Sequence, residues 1–95
     1  MRWTRTLNNL DQQVEVVIGP VEREQSSGDC YCHWQIIGLG EDKSGEVFGI
    51  DEIQAVLLSL QLVRMMLEAT AEFQAGNLQW EAGMDPTDLG LPATP

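Results

Sequence analysis

Apolar and polar residues alternate along four stretches of the first half of the chain, with the two-residue period of half-buried strands. In "QVEVVI", for example, Val14 and Val16 point to one side and Glu15 points to the other. The connections between the stretches are too short for crossover helices, so the pattern predicts an antiparallel meander. The four predicted strands are residues 2–7, "QVEVVI", "CYCHWQIIG" and "EVFGI".

The second half opens with the signal for a helix. Asp51 is a favourable N-cap, and Gln54 three residues later completes a capping-box pattern. No glycine or proline follows until Gly76, so the pattern predicts one helix over residues 51–75. The predicted fold class is α+β: one domain over residues 1–95, in which an antiparallel meander of about four strands within residues 2–50 carries one long helix packed on one face.

This helix has two apolar stripes when its residues are placed at about 100° intervals. A surface helix needs only one apolar stripe for its own core, so the predicted sheet covers one stripe and leaves the other. The first stripe comprises Ile53, Val56, Leu60, Val63, Leu67 and Ala71. The second comprises Ala55, Leu58, Leu62, Met65, Met66, Ala69 and Phe73. The second stripe advances largely in alternating steps of three and four residues, which is the spacing of packed helices, and we predict that it is an interface.

Residues 76–95 read as an irregular tail, in which Leu78 and Trp80 form a short edge strand. The tail offers an alternative cover for the second stripe. Trp80, Leu89 and Leu91 are its large apolar residues, and folding them over the helix would leave no free stripe.

Charge restricts the partners that such a surface could have. Fifteen acidic and five basic residues give a net charge of -10. This charge opposes binding to nucleic acid or to anionic membranes, because both need clustered Lys and Arg. It is compatible with a basic protein partner, although simple solubility also accounts for it. The start of the sequence has no apolar signal region, so we expect a cytoplasmic protein with reduced thiols.

The stretch "DCYCHW" is the best candidate for chemistry. Cys30 and Cys32 share one face of the predicted strand, and His33 lies on the other face. Structural zinc usually takes four nitrogen or sulfur ligands, and the chain offers three, so we predict no metal and treat a module at Cys30, Cys32 and His33 as an alternative. No nucleophile motif accompanies His33, so neither an enzyme nor a cofactor is expected.

The run "GIDEIQAVLLSLQLVR", together with the later "LQW" and "DLGLP", resembles a family of small bacterial proteins of unknown function. In that family a few strands lead into a helix that begins Gly-φ-Asp-x-φ-Gln-Ala, where φ is apolar. The resemblance implies a meander-plus-helix domain and brings no activity with it.

The sequence therefore predicts a non-enzymatic, acidic protein-interaction domain that forms a homodimer through its helix or binds another protein. Two alternatives stay open. One is an inhibitor or immunity-type protein that blocks the basic site of a toxin or nuclease. The other is the small metal-binding module at Cys30, Cys32 and His33.

Overall fold

The computed structural model describes residues 1–81 and 84–92. Within these residues, four strands are followed by a long helix and a short one, and a fifth strand then completes the sheet, which confirms the α+β prediction. The elements in chain order are β1 (Trp3–Asn9), β2 (Gln12–Arg23), β3 (Cys30–Ile37), β4 (Lys43–Gly49), α1 (Glu52–Glu68), α2 (Ala71–Gln74) and β5 (Leu78–Gln79).

The sheet has the order β4-β3-β2-β1-β5, and every neighbouring pair is antiparallel. The first four strands form the predicted meander. The predicted edge strand is also present, although it is shorter than expected: Leu78 pairs with Asn9, and Gln79 pairs with Asn8. The tail therefore returns to β1 and completes the sheet.

One face of the sheet forms the core with α1. Side chains on this face follow the predicted alternation, and those of Leu7, Val14, Cys30 and Cys32 are fully buried. From the helix, four residues at four-residue spacing are also fully buried: Ala55, Ser59, Val63 and Leu67. The contact between α1 and the sheet is this line of four residues. It coincides with neither of the two predicted stripes.

Two small residues allow α1 to lie close to the sheet. A Cβ atom on Gly49 would stand 2.6 Å from the backbone nitrogen of Ala55, so only glycine permits the observed approach. Ser59 is polar but fully buried, and its hydroxyl donates a hydrogen bond of 2.8 Å to the Ala55 carbonyl. Because this hydrogen bond satisfies the hydroxyl, serine can occupy the centre of the contact.

The predicted start of the helix is confirmed, but the prediction of a single helix over residues 51–75 is wrong. Asp51 Oδ1 accepts a hydrogen bond of 2.7 Å from the Gln54 backbone N–H. Helix α1 then ends at Glu68, and Thr70 adopts an extended backbone conformation as the N-cap of α2. The Thr70 hydroxyl accepts from the Phe73 N–H and donates to the Leu67 carbonyl. These local bonds replace the continuing helical ones and stop α1.

Two arginines hold the described part of the tail against the body. Arg5 Nη1 donates to the carbonyls of Leu89 and Gly90 at 2.9 and 3.0 Å, and its guanidinium lies 3.9 Å from the centre of a Trp80 ring. Arg64 Nη2 donates to the Thr87 carbonyl at 2.6 Å. Residues 82–83 and 93–95 of the predicted tail lie outside the described residues.

Candidate functional site

The predicted interface stripe does not form one surface. Ala55 is fully buried in the core, so its prediction as an interface residue is wrong. Leu62, Met66 and Phe73 are partly buried and pack against the same core. Leu58 and Met65 remain 37% and 50% exposed, and Ala69 is also exposed. An interface role for this exposed remainder stays a prediction.

The described part of the tail does not cover the exposed remainder of that stripe. It reaches Arg64, which lies on the opposite flank of α1 from Met65. Leu91 lines a small cavity of about 130 Å³ together with Val56 and Leu60, again on that opposite flank. The alternative cover by the tail therefore fails for residues 84–92.

The most exposed apolar side chain of α1 belongs to the first predicted stripe, and Leu57, which belongs to neither stripe, is exposed on the same flank. Ile53 is 80% exposed and Leu57 is 43% exposed. Across from them, at the beginning of β1, Met1 is 90% and Trp3 is 49% exposed. These four side chains stand beside an open groove of about 640 Å³ between the helix and the sheet.

We call this feature the α1–β1 groove. Among the side chains of the described residues that line it, that of Glu52 alone carries a charge. Val21, Val56 and Leu60 are partly buried and form its inner surface. The described residues that line it are Met1, Trp3, Val21, Glu52, Ile53, Val56, Leu57 and Leu60. A contiguous apolar surface with this little charge is typical of a protein-protein contact and uncommon on a surface that stays in water.

The cysteine-bearing strand does not assemble a metal site. Cys30 and Cys32 are unpaired thiols buried in the core. His33 lies on the other face of the sheet, where its Nε2 is 2.8 Å from Glu22 Oε2. Within residues 1–81 and 84–92, no group of three potential metal ligands comes together. Cys30, Cys32 and His33 therefore cannot hold one ion while β3 is intact, and the geometry does not favour the metal-module alternative.

The face of the sheet turned away from α1 carries a second cluster, made of aromatic and acidic side chains. Tyr31 contacts both His33 and Phe48, with ring centres 5.4 and 5.3 Å apart. Hydrogen bonds from His33 and from the Tyr31 hydroxyl lower the pKa of Glu22 below its ordinary value. The same bond to Glu22 raises the pKa of Tyr31, so its phenol is neutral at pH 7.

The described part of the chain contains no helix with the length and apolar character that a membrane span requires. The finding agrees with the polar residues Gln61, Arg64 and Glu68 within α1.

Comparison with protein families gives a match over nearly the whole chain. The model of the family described as Domain of unknown function (DUF6968) matches residues 3–93. The chain belongs to the DUF6968 family. This confirms the resemblance to a family of unknown function that the helix start and the "DLGLP" ending indicated. No curated protein matches the chain, and neither does a solved structure.

In this DUF6968 chain the sequence patterns missed the residues that make the α1–β1 groove. Leu57 belongs to neither predicted stripe, and Ile53 was placed in the core. Trp3 offered a signal, because a large aromatic residue lies on the same side of β1 as the buried Leu7. Its 49% exposure shows that the core face of the sheet extends beyond the cover that α1 provides.

Proposed function

We propose that this DUF6968 domain is a non-enzymatic protein-interaction module that forms a homodimer through the α1–β1 groove. The observation that carries the proposal is the exposure of Ile53, Leu57, Met1 and Trp3 around one nearly uncharged concavity. As part of the same proposal we place the domain in the cytoplasm, where its unpaired thiols would stay reduced.

A second copy of the chain is the occupant that the shape of the surface favours. A two-fold interface requires a surface that is complementary to itself. The α1–β1 groove lies directly beside protruding apolar side chains, of which Ile53 at 80% exposure is the clearest on the helix. Ile53 of each copy could therefore enter the groove of the other, and both concavities would be filled by the same contact.

The charge of the chain adds a second expectation about this contact. Each copy carries a net charge of -10, so two copies repel each other at long range. Glu52 is the only acidic residue among the described residues that line the groove, so the repulsion comes mainly from the surrounding surface. Salt shortens the reach of such repulsion from about 30 Å at 0.01 M to about 3 Å at 1 M. Self-association through an apolar groove should therefore strengthen as salt is added.

Sedimentation equilibrium of the wild-type chain tests this proposal. From micromolar to millimolar concentration we expect the mass to rise from 10.6 kDa toward twice that value, and to rise at lower concentration in high salt. A mass of 10.6 kDa at every concentration and salt level would contradict the homodimer. Association that weakens with salt would show that charge pairing, and not the apolar groove, holds the copies together.

A further inference from the structure

The open face of the sheet, on the side away from α1, brings aromatic rings and carboxylates together across three strands. In the strand register, Tyr31 lies between Glu22 on β2 and Phe48 on β4. On the same face of the sheet, His33 is paired with Glu46. This acidic-aromatic face is therefore continuous across β2, β3 and β4.

Phe48 is the most accessible ring of this face, and Tyr31 beside it is half-buried. Phe48 is 51% exposed, although it lies within a strand and is held against Tyr31. The chain presents here two neighbouring aromatic rings that no described element covers. The negative face of such a ring attracts a cation, and it attracts the planar guanidinium of arginine most often.

Charge on the same face is complementary to a cation. Glu22, Glu24 and Glu46 all raise the pKa of Tyr31 through their negative charges, so the three carboxylates act on the same ring. A trough of about 380 Å³ continues from His33 and Glu46 along the face. Arg2 also lines the trough and contributes one positive charge, which leaves the three carboxylates in excess.

We propose that the acidic-aromatic face binds an arginine-containing segment of a partner protein. Guanidinium groups would lie against the rings of Tyr31 and Phe48 and donate hydrogen bonds to Glu22 and Glu46. Phosphate-rich partners would meet the same carboxylates and be repelled, so the face selects a basic protein and not nucleic acid.

This inference does not depend on self-association, because the acidic-aromatic face and the α1–β1 groove lie on opposite sides of the sheet. If both proposals hold, a dimer would carry two copies of this face. A partner with two basic segments would then bind more tightly than either segment alone. Of the two alternatives from the sequence, the inhibitor of a basic site is the one that this face favours.

Fluorescence anisotropy with a short labelled peptide of alternating arginine and glycine tests the inference. We expect saturable binding that weakens steeply with salt. Glu46→Gln should weaken it about tenfold, because a charge-assisted hydrogen bond is lost. Phe48→Ala should weaken it about fivefold, through loss of the ring face. The same peptide with lysine in place of arginine should bind more weakly. An ammonium group cannot stack on an aromatic ring or donate two parallel hydrogen bonds to one carboxylate.

The matched control is Glu72→Gln, which changes the net charge equally but lies on α2 in the helix layer. Equal weakening by Glu46→Gln and Glu72→Gln would overturn the inference, because diffuse attraction alone predicts it. Equal affinity for the arginine and lysine peptides would also overturn it. Backbone amide shifts of the wild-type chain provide a readout without substitution. Peptide-induced shifts should cluster at Tyr31, His33 and Phe48, and shifts confined to α1 would refute the site.

Discussion

Replacing Ile53 by aspartate is expected to abolish self-association and to leave the fold intact. Ile53 is 80% exposed in the single chain, so the core loses almost nothing when its side chain changes. In a two-fold dimer the substitution acts once in each copy. Burying one isoleucine is worth about 1.5–3 kcal/mol, so the loss is about 3–6 kcal/mol per dimer, or at least about a hundredfold in affinity.

The control for Ile53→Asp is the same kind of change at a distant exposed residue. Leu10 is 74% exposed in the turn after β1, at the opposite end of that strand from Trp3. Its positive φ of 57° is one that aspartate tolerates, so Leu10→Asp should fold normally. Sedimentation equilibrium should show association for Leu10→Asp and none for Ile53→Asp. If Met65→Glu abolished association while Ile53→Asp did not, the interface would be the remainder of the predicted second stripe.

Leu67→Ala is expected to destabilise the fold by about 2–5 kcal/mol, because the removed atoms leave a cavity in the core. Leu67 is fully buried on the line of α1 that contacts the sheet. Leu57→Ala removes the same atoms from the same helix, but Leu57 is 43% exposed beside the α1–β1 groove. We expect its effect on the stability of the single chain to be below about 1 kcal/mol.

Urea unfolding of both variants measures how much each substitution lowers the free energy of unfolding. The protein concentration should be one at which the wild-type chain is monomeric. Equal losses would mean that Leu57 belongs to the core and that the helix has no free apolar flank. A small loss for Leu57→Ala, combined with weaker self-association, would assign Leu57 to the interface.

The local features of this fold could be predicted from the sequence. The alternation in β2 and β3 fixes which side chains face the core, because a strand has a strict two-residue period. The start of α1 could be predicted because Asp51 makes its capping bond to a residue three positions away. The end of α1 was also a local event, but the Thr70 cap was overlooked since no glycine or proline accompanies it.

The rotation of α1 on the sheet could not be predicted in the same way. With apolar residues on most sides, the helix pattern does not specify one face, and Ser59 belongs to neither apolar stripe. The structure instead places Ser59 at the centre of the contact, where its own helix satisfies its hydroxyl. The close approach between the backbones of Gly49 in β4 and Ala55 in α1 fixes this rotation. The exposure of Ile53 follows from the rotation.

The most direct test of the central claim is an intermolecular distance measurement at the groove. Glu52 is exposed and lines the α1–β1 groove, so Glu52→Cys offers a site for a spin label. Cys30 and Cys32 are fully buried and should not react. Labelled chains without nitrogen-15 would be mixed with unlabelled nitrogen-15 chains, so that any broadening of the indole signals arises between copies.

The three tryptophans supply the internal comparison for this measurement. Trp3 lines the α1–β1 groove, Trp34 is buried in the core, and Trp80 lies against Arg5 near the tail. If a second copy occupies the groove, the indole signal of Trp3 should broaden most strongly. Absence of broadening at Trp3 in a sample that sediments as a dimer would contradict the account, because the copies would then meet on another surface.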